Sequence, residues 1–285
     1  MLTRVSKSST NFQQDIVNMI LKQEGFRNET FSQCKSATEV REALISSESW
    51  YLLSNEQPIA VFQLQTSGPA VTISKICASV GPKVLSAALR NELREKKISN
   101  ITLQVAPSEV DGYTASGFAP GELHLRYSRT PKASNMMPIL PLANPSQKEL
   151  PNLSELMHTA YAKSQHPLLD GAAEEMLQEI MSGARGEYIS NASFVSGIRP
   201  NLVSACLLTL DKPSEASINQ LFTHPLYRAR GLATVEIAAS MNQLVASGIG
   251  TITAWVGERN DVVKRLLTKM EFRQGRSVIE MTGKT

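Results

Sequence analysis

The two halves of this 285-residue chain carry the same order of predicted strands and helices. A predicted β-hairpin over residues 50–64 corresponds to one over residues 194–208, since Tyr51 and Phe194 stand 194 − 51 = 143 positions apart. Such a repeat requires each half to build its sheet and helices from one plan. The elements after the hairpins correspond in the same order: strands 71–78 and 217–223, helices 84–96 and 232–246, and strands at 101–102 and 252–253.

Strands that alternate with helices in this way predict an α/β chain with a mixed sheet in each half. A proline-rich segment at residues 130–152 separates the halves, because proline removes backbone donors and opposes helix formation. We therefore predict one domain over residues 1–131 and a second over residues 132–285, and expect residues 136–142 to form the first strand of the second. The helix at 232–246 is predicted to pack on its sheet through one apolar stripe: Val235, Ala238, Met241, Leu244 and Val245.

Charge and cysteine content exclude several classes of protein. A net charge of +3, from 29 basic and 26 acidic residues, does not predict a basic surface that binds the phosphates of a nucleic acid. No nucleic-acid partner is therefore expected. The chain shows no signal-peptide pattern and no apolar run of about 18 residues, so we expect a cytoplasmic protein without membrane association. Cys34, Cys77 and Cys206 have neither CxxC spacing nor a nearby histidine, and predict no disulfide framework and no metal site.

The clearest difference between the halves is a longer loop in the second, over residues 223–234. The offset between corresponding residues grows here by six, from 218 − 73 = 145 in the preceding strands to 252 − 101 = 151 in the strands after the helices. The loop runs into a predicted helix, whose N-terminus offers unpaired N–H groups and a partial positive charge to an anion. Gly231 and Ala233 allow close approach of a ligand, and Arg228 and Arg230 add positive charge. We interpret the segment as a pyrophosphate-binding loop, with an ordinary exposed turn as the alternative.

This loop resembles the acetyl-CoA loop, R/Q-x-x-G-x-G/A, of the GNAT superfamily of N-acetyltransferases, and matches it at Arg228, Gly231 and Ala233. Residues 260–272 resemble the second motif of that family, N-x-x-A-x-x-L-Y-x-K-x-G-F. The resemblance covers residues 134–285, while the first half is similar only in element order and near Tyr113. It implies two GNAT-like domains, each a mixed, mostly antiparallel sheet flanked by helices, of which the first is a degenerate copy.

The resemblance also implies how acetyl-CoA, the acyl donor, would bind between two splayed strands at 218–223 and 251–256. Backbone groups of Leu221, Phe222 and Thr223 would pair with the pantetheine arm. Asn260 would bond the arm from the other side. The pyrophosphate would lie on the N–H groups of the loop and first helical turn: Arg228, Ala229, Arg230, Gly231, Leu232, Ala233 and Thr234.

The chain departs from the family where proton transfer is concerned. The tyrosine that often protonates the leaving thiolate in the family falls at Leu267, which has no proton to donate. The strand positions that often hold a general base carry no carboxylate. Glu258 and His224 are therefore the candidate catalytic residues. The alternative for Glu258 is a solvated loop charge, and the alternative for His224 is a position at which the family tolerates many residues. Direct attack by an amine still gains from proximity and from polarisation of the carbonyl by a strand N–H.

The predicted function is acetyl transfer from acetyl-CoA to a primary amine on a small molecule or a peptide. The alternative is a non-catalytic module that binds acyl-CoA as a sensor or scaffold. The first half has no arginine between strand and helix at residues 77–82, so it is expected to hold no cofactor. Helices at 153–163 and 172–181 are expected to build the acceptor pocket. A homodimer is left open.

Overall fold

The chain forms two compact units. The first unit comprises residues 1–124 together with 277–285, and the second comprises residues 125–276. Residues 277–285 thus belong to the first unit. The predicted domains at 1–131 and 132–285 do not include this return of the chain to the first unit. Cys34 and Lys163, the end of one predicted helix, lie outside the described residues. The computed structural model describes all residues except 6–9, 23–35, 47–48, 55–56, 163–170 and 213.

The first unit is built on a mixed sheet. Its strand order is β1-β2-β3-β4-β5-β13, and its one parallel pair among the described strands is β4 with β5. The strands are β1 (Leu2–Arg4), β2 (Trp50–Ser54), β3 (Gln57–Ser67), β4 (Ala70–Ala78), β5 (Asn100–Val105) and β13 (Arg273–Lys284), of which residues 277–284 lie in this unit. The helices are α1 (Thr10–Lys22), α2 (Ala37–Ser46), α3 (Pro82–Glu95) and α4 (Val110–Thr114).

The second unit repeats this plan. Its sheet has the order β12-β11-β10-β9-β7, β8 pairs with β10, and only β11 and β12 run parallel among its described pairs. Strand β6 (Ala119–Arg129) leads into it, and the others are β7 (Leu142–Ala143), β8 (Glu187–Tyr188), β9 (Phe194–Ile198), β10 (Asn201–Lys212), β11 (Glu215–Thr223) and β12 (Thr251–Gly257). The helices are α5 (Leu150–Tyr161), α6 (Ala172–Met181), α7 (Leu232–Ala246) and α8 (Asp261–Lys269).

The two faces of the second sheet bury different kinds of side chain. Leu207 and Phe222 pack with helices α5 and α6 in one apolar cluster. On β10, Ser204 and Cys206 alternate with the residues of that cluster, and they contact Glu236 and Ser240 of α7. Alternation along a strand therefore gives an apolar face and a face with buried polar groups. No helix in the described part of the chain is long and apolar enough to cross a membrane.

Most predicted elements are confirmed, including both hairpins and the bounds of α7. The predicted strand at 136–142 is wrong, because strand structure is limited to Leu142–Ala143 and Met137 is 81% exposed. Pro138 and Pro141 account for this, since proline cannot donate to a strand ladder. The prediction that Val245 belongs to the packed stripe of α7 is also wrong, because Val245 is exposed in the last turn of the helix. The other four residues of the stripe are buried.

Candidate acetyl-CoA site

Strands β11 and β12 begin side by side and then separate. Their parallel ladder runs from Glu215 opposite Thr251 to Ile218 opposite Ala254, whereas β11 continues to Thr223. The separation coincides with a β-bulge, because Leu207 of β10 opposes Gln220 but its neighbour Leu208 opposes Ile218. Asn219 is the additional residue of the bulge. A bulge bends its strand and increases the twist, which explains why β11 turns away from β12 at this point.

The first unit has the same splayed pair without the loop. Its parallel ladder ends at Ile73 opposite Leu103, while β4 continues to Ala78 past an irregularity in its pairing with β3. Residues 79–81 alone then connect β4 to α3, compared with residues 224–231 between β11 and α7. The repeat therefore preserves the strand geometry and differs in the segment that could hold phosphate.

The loop before α7 forms a concave array of backbone N–H groups. Ala229 and Gly231 both have positive φ, at 59° and 80°. When residues with left-handed backbone conformation alternate with right-handed or extended residues, successive N–H groups point toward one side. Such an array of N–H groups is an anion-binding nest. The N–H groups of residues 229–234 have no acceptor among the described residues. Leu232, Ala233 and Thr234 form the first turn of α7, so the helix dipole adds to this array.

The structure changes the reason for a glycine at position 231. A Cβ built there would make only an ordinary contact, 3.5 Å from Cδ1 of Ile139. The constraint is the backbone, since φ of +80° is costly for residues other than glycine. Gly231 thus sets the shape of the nest.

The two loop arginines have different surroundings. Arg228 donates from Nε to the carbonyl of Thr223 at 3.2 Å and from Nη2 to the carbonyl of Ala160 at 2.6 Å. Arg230 lies over the ring of Tyr227, with 5.2 Å between its guanidinium carbon and the ring centroid. Both residues are exposed. The first orders the loop against α5, and the second adds positive charge at the surface.

One edge of β11 is open over the splayed segment. Leu221, Phe222 and Thr223 pair with residues of β10, and none of the described strands pairs with their other edge. The carbonyl of Phe222 also accepts a hydrogen bond from Ser204 Oγ at 3.2 Å. An extended ligand could therefore add to this edge as a further strand would.

Asn260 and His224 both serve as caps. The Oδ1 atom of Asn260 accepts from the N–H of Val263 at 3.2 Å at the start of α8. The Nδ1 atom of His224 accepts from the N–H of Leu226 at 3.3 Å, and so caps the short 3₁₀ turn Pro225–Tyr227. Each role uses one acceptor atom and leaves the other polar atom of the side chain for a ligand.

Glu258 is exposed at the end of β12, and its backbone carbonyl accepts a hydrogen bond from Lys264 Nζ. No ion pair of its carboxylate with the described residues is present. Leu267, at the position of the family tyrosine, is fully buried. Cys206 is also fully buried, and burial raises the pKa of its thiol, which agrees with an inert cysteine.

A phenol near the splay was not expected from the sequence. Tyr161, in the last turn of α5, donates from its hydroxyl to Oε1 of Gln220 at 3.2 Å. The amide of Gln220 in turn donates to the sulfur of Met176 on α6 at 3.1 Å. Burial raises the pKa of Tyr161, and the positive charge of Arg228 acts in the opposite direction. Position 161 lies outside both sequence motifs, so only the packing of α5 against β11 identifies it.

The comparisons with known proteins support a GNAT fold. Residues 195–279 match the family model described as FR47-like protein, and no curated protein matches the sequence. A GCN5-related N-acetyltransferase from Sphaerobacter thermophilus has a TM-score of 0.71 at 11% identity, covering 100% of this chain and 95% of that chain. A tandem GNAT protein from the clavulanic acid biosynthesis pathway has a TM-score of 0.63 at 13% identity, with 100% and 98% covered. A GNAT-family acetyltransferase from Colwellia psychrerythraea has a TM-score of 0.55 at 9% identity, with 99% of each chain covered.

The chain therefore has the fold of the GNAT acetyltransferases, in a tandem arrangement. The resemblance seen in the sequence, and the α/β fold class it implied, are confirmed. The site fits the chemistry of acetyl-CoA, because an open strand edge suits an amide-containing arm and unpaired N–H groups suit a pyrophosphate. Among the described residues, no three His, Cys, Asp or Glu side chains are placed to hold a metal ion.

Proposed function

We propose that the second unit binds acetyl-CoA and transfers its acetyl group to a primary amine of a small molecule or peptide. The observation that carries this proposal is the juxtaposition, within one unit, of the open edge of β11 and the N–H nest over residues 229–234. The two features suit the two halves of the same ligand. The acetyltransferase fold of the structural relatives supports the same reaction class.

The proposed reaction is direct attack of the neutral amine on the thioester carbonyl. A C–N bond forms, the C–S bond breaks, and the proton released by the amine ends on the departing sulfur, which leaves as the free thiol of CoA. The open edge of β11 offers backbone N–H groups that can polarise the carbonyl, and alignment of the two reactants lowers the barrier further. Asn219 and Gln220 supply no carboxylate, so the second unit would rely mainly on positioning and on solvent for proton transfer.

His224 and Glu258 keep the roles proposed from the sequence as candidates for proton transfer. The Nε2 atom of His224, which takes no part in the capping bond, is at the carboxyl end of β11. The carboxylate of Glu258 is at the corresponding end of β12. Both residues therefore follow the strands that would enclose the thioester. Replacing each one separately, with the rate of acetyl transfer as the readout, tests which of them takes part.

The decisive experiment measures thiol release from acetyl-CoA across a panel of amines, with amino acids, polyamines, aminoglycosides and peptides. Gly231→Glu is the inactive reference, because a side chain at positive φ would distort the nest and an anion would repel the pyrophosphate. Gly248→Glu is the matched control, since Gly248 is exposed at the other end of α7, has φ +70° and has open space around it. Both variants gain the same charge and a comparable backbone strain.

Release above the Gly231→Glu reference for any amine, retained in Gly248→Glu, supports the transferase. A second function, an acyl-CoA-binding module, is favoured by the burial of Leu267 and by the lack of a carboxylate at Asn219 and Gln220. Tight binding of acetyl-CoA without thiol release across the whole panel would establish that alternative. Absence of a thermal shift at millimolar acetyl-CoA would overturn both, because a ligand at one hundred times Kd stabilises by about 2.7 kcal/mol.

A further inference from the structure

Helix α7 buries a carboxyl group behind the nest. Glu236 is fully buried, with 0% exposure, in a helix whose apolar residues Val235, Ile237 and Leu244 are buried as well. It follows Leu232, the first residue of α7, by one helical turn, which places it about 6 Å along the axis from the helix start. An apolar residue would satisfy the packing at this position, so the glutamate calls for a separate explanation.

Glu236 is bonded to two strands by serine hydroxyls. Its Oε1 lies 2.6 Å from Oγ of Ser196 on β9, and its Oε2 lies 2.9 Å from Oγ of Ser204 on β10. The Ser204 hydroxyl also lies 2.8 Å from Oγ1 of Thr223 and 3.2 Å from the carbonyl of Phe222. A continuous chain of hydrogen bonds thus leads from Glu236 to the last two residues of β11, where the splayed edge meets the nest.

No positive charge in the described part of the chain compensates this carboxyl. Among the described residues, no Lys, Arg or His forms an ion pair with Glu236. The ionisable group that faces it from β10 is the buried thiol of Cys206. Strand β9 contains no ionisable residue, and the one on β11, Glu215, lies in an ion pair of 3.0 Å with Arg126. The uncompensated burial raises the pKa of Glu236 to about 8, although the hydrogen bonds from Ser196 and Ser204 act in the opposite direction.

We propose that Glu236 is a positioning residue of the acyl-CoA site that acts in its neutral form, so that acyl-CoA binding is coupled to a proton on this carboxyl. This inference rests on the proposed function of the second unit. A neutral Glu236 can donate to Ser204 Oγ, which leaves the Ser204 hydroxyl hydrogen for the carbonyl of Phe222. An ionised Glu236 instead draws that hydrogen away from β11 and places a negative charge behind a nest that has to receive phosphate.

The coupling follows from linkage between the two charges. A buried negative charge close to the phosphates disfavours the ionised form in the complex, so binding raises the pKa of Glu236 further. By the same linkage, acyl-CoA binds more weakly as the pH rises through the pKa of the free protein, and binding at alkaline pH takes up a proton.

The test is isothermal titration of the full chain with CoA at about pH 7 and about pH 9, each in two buffers of different ionisation enthalpy. The wild type is compared with Glu236→Gln, which keeps the shape and can still bond both serines. Glu155→Gln, an exposed position on α5, is the matched control for loss of one negative charge. Since the phosphates of CoA titrate equally in all three proteins, the difference between proteins reports the group on the chain.

We expect the wild type and Glu155→Gln to take up a proton at the higher pH and to lose about tenfold in affinity between the two conditions. Glu236→Gln should show neither effect. If Glu236→Gln does not fold, infrared difference spectra of the wild type give the same answer, since CoA binding at the higher pH should increase the carboxylic-acid band.

Equal proton uptake in the wild type and Glu236→Gln, or no increase in the carboxylic-acid band, would overturn the inference and leave the proposed function intact. Failure of the wild type to bind CoA at either pH would instead overturn the proposed function, and this inference with it. A merely structural Glu236 would change stability without changing the number of protons taken up on binding.

Discussion

The guanidinium of Arg228 donates a hydrogen bond to the carbonyl oxygen of Ala160 at 2.6 Å, and this bond joins the start of the phosphate loop to the last turn of α5. Carbonyl groups at a helix C-terminus are left without intrahelical partners and favour a cation. A second bond, to the carbonyl of Thr223, fixes the same side chain to the end of β11. The loop is therefore held in position by an arginine that is not itself part of the nest.

We predict that Arg228→Ala and Arg230→Ala differ in their effects. Arg228→Ala should lower the free energy of unfolding by about 1–3 kcal/mol, because charged hydrogen bonds to two carbonyls are lost. Arg230→Ala should leave stability nearly unchanged and weaken acetyl-CoA binding in a way that salt suppresses, since its charge is exposed. Urea unfolding and binding titrations at low and high salt separate the two. Equal losses of stability would contradict the assignment.

We predict that Leu267→Tyr does not restore a catalytic acid. Leu267 is fully buried, so a larger side chain with a hydroxyl should overpack the core and cost about 1–3 kcal/mol of stability. Leu267→Met, which conserves volume, should cost less than about 1.5 kcal/mol. Thermal unfolding gives the stabilities, and the thiol-release assay gives the rate. A faster reaction in a stable Leu267→Tyr protein would show that this position reaches the reacting groups.

We predict that Glu236→Gln gains stability relative to the wild type as the pH rises. With its pKa at about 8 in the folded protein, the carboxyl keeps its proton while the unfolded chain has already released it near the ordinary pKa of 4.5. The stability of the wild type is then full below the ordinary pKa and falls as the pH rises toward 8, by up to about 1.4 kcal/mol per pH unit. Urea unfolding between pH 4 and 9 checks this, and parallel curves for the two proteins would disprove it.

We predict that Tyr161→Phe changes the reaction with the amine and leaves acetyl-CoA binding within about twofold of the wild type. The Tyr161 hydroxyl bonds to Gln220 in the splayed segment, whereas the unpaired N–H groups of the nest lie in residues 229–234. Loss of this bond frees the Gln220 amide and should raise KM for the amine severalfold. Steady-state kinetics with each substrate varied checks the split. A larger effect on acetyl-CoA than on the amine would contradict it.

What the sequence predicted correctly depends on local signals. The hairpins, the bounds of α7 and the longer loop before it follow from turn residues and periodicity, which need no knowledge of the tertiary fold. The exposure of Val245 shows the limit of periodicity. An apolar stripe predicts which face of a helix is buried, but it does not predict how far along the helix that burial extends. The failed strand at 136–142 shows that apolar residues do not form a strand where two prolines remove donors from the ladder.

The parts that the sequence did not predict depend on contacts between distant residues. Tyr161 meets Gln220 only because α5 packs against β11, and Glu236 meets Ser196 and Ser204 only because α7 crosses β9 and β10. Glu236 is the one charged residue in an apolar helical pattern, and the burial that raises its pKa arises only in the folded unit. The roles proposed for the nest and the strand edge stay predictions until a ligand is measured.

Strand β13 returns to pair with β5, where Met281 is fully buried in the core of the first unit. Residues 277–285 are also translated after the whole of the second unit, since they follow residue 276 in the sequence. During synthesis the sheet of the first unit therefore stays incomplete, with β5 as an exposed edge, until all of residues 125–276 have been translated. The order of completion is thus the reverse of the order of translation: the second unit can close first, and the first unit is completed by a strand segment that follows the second unit in the sequence.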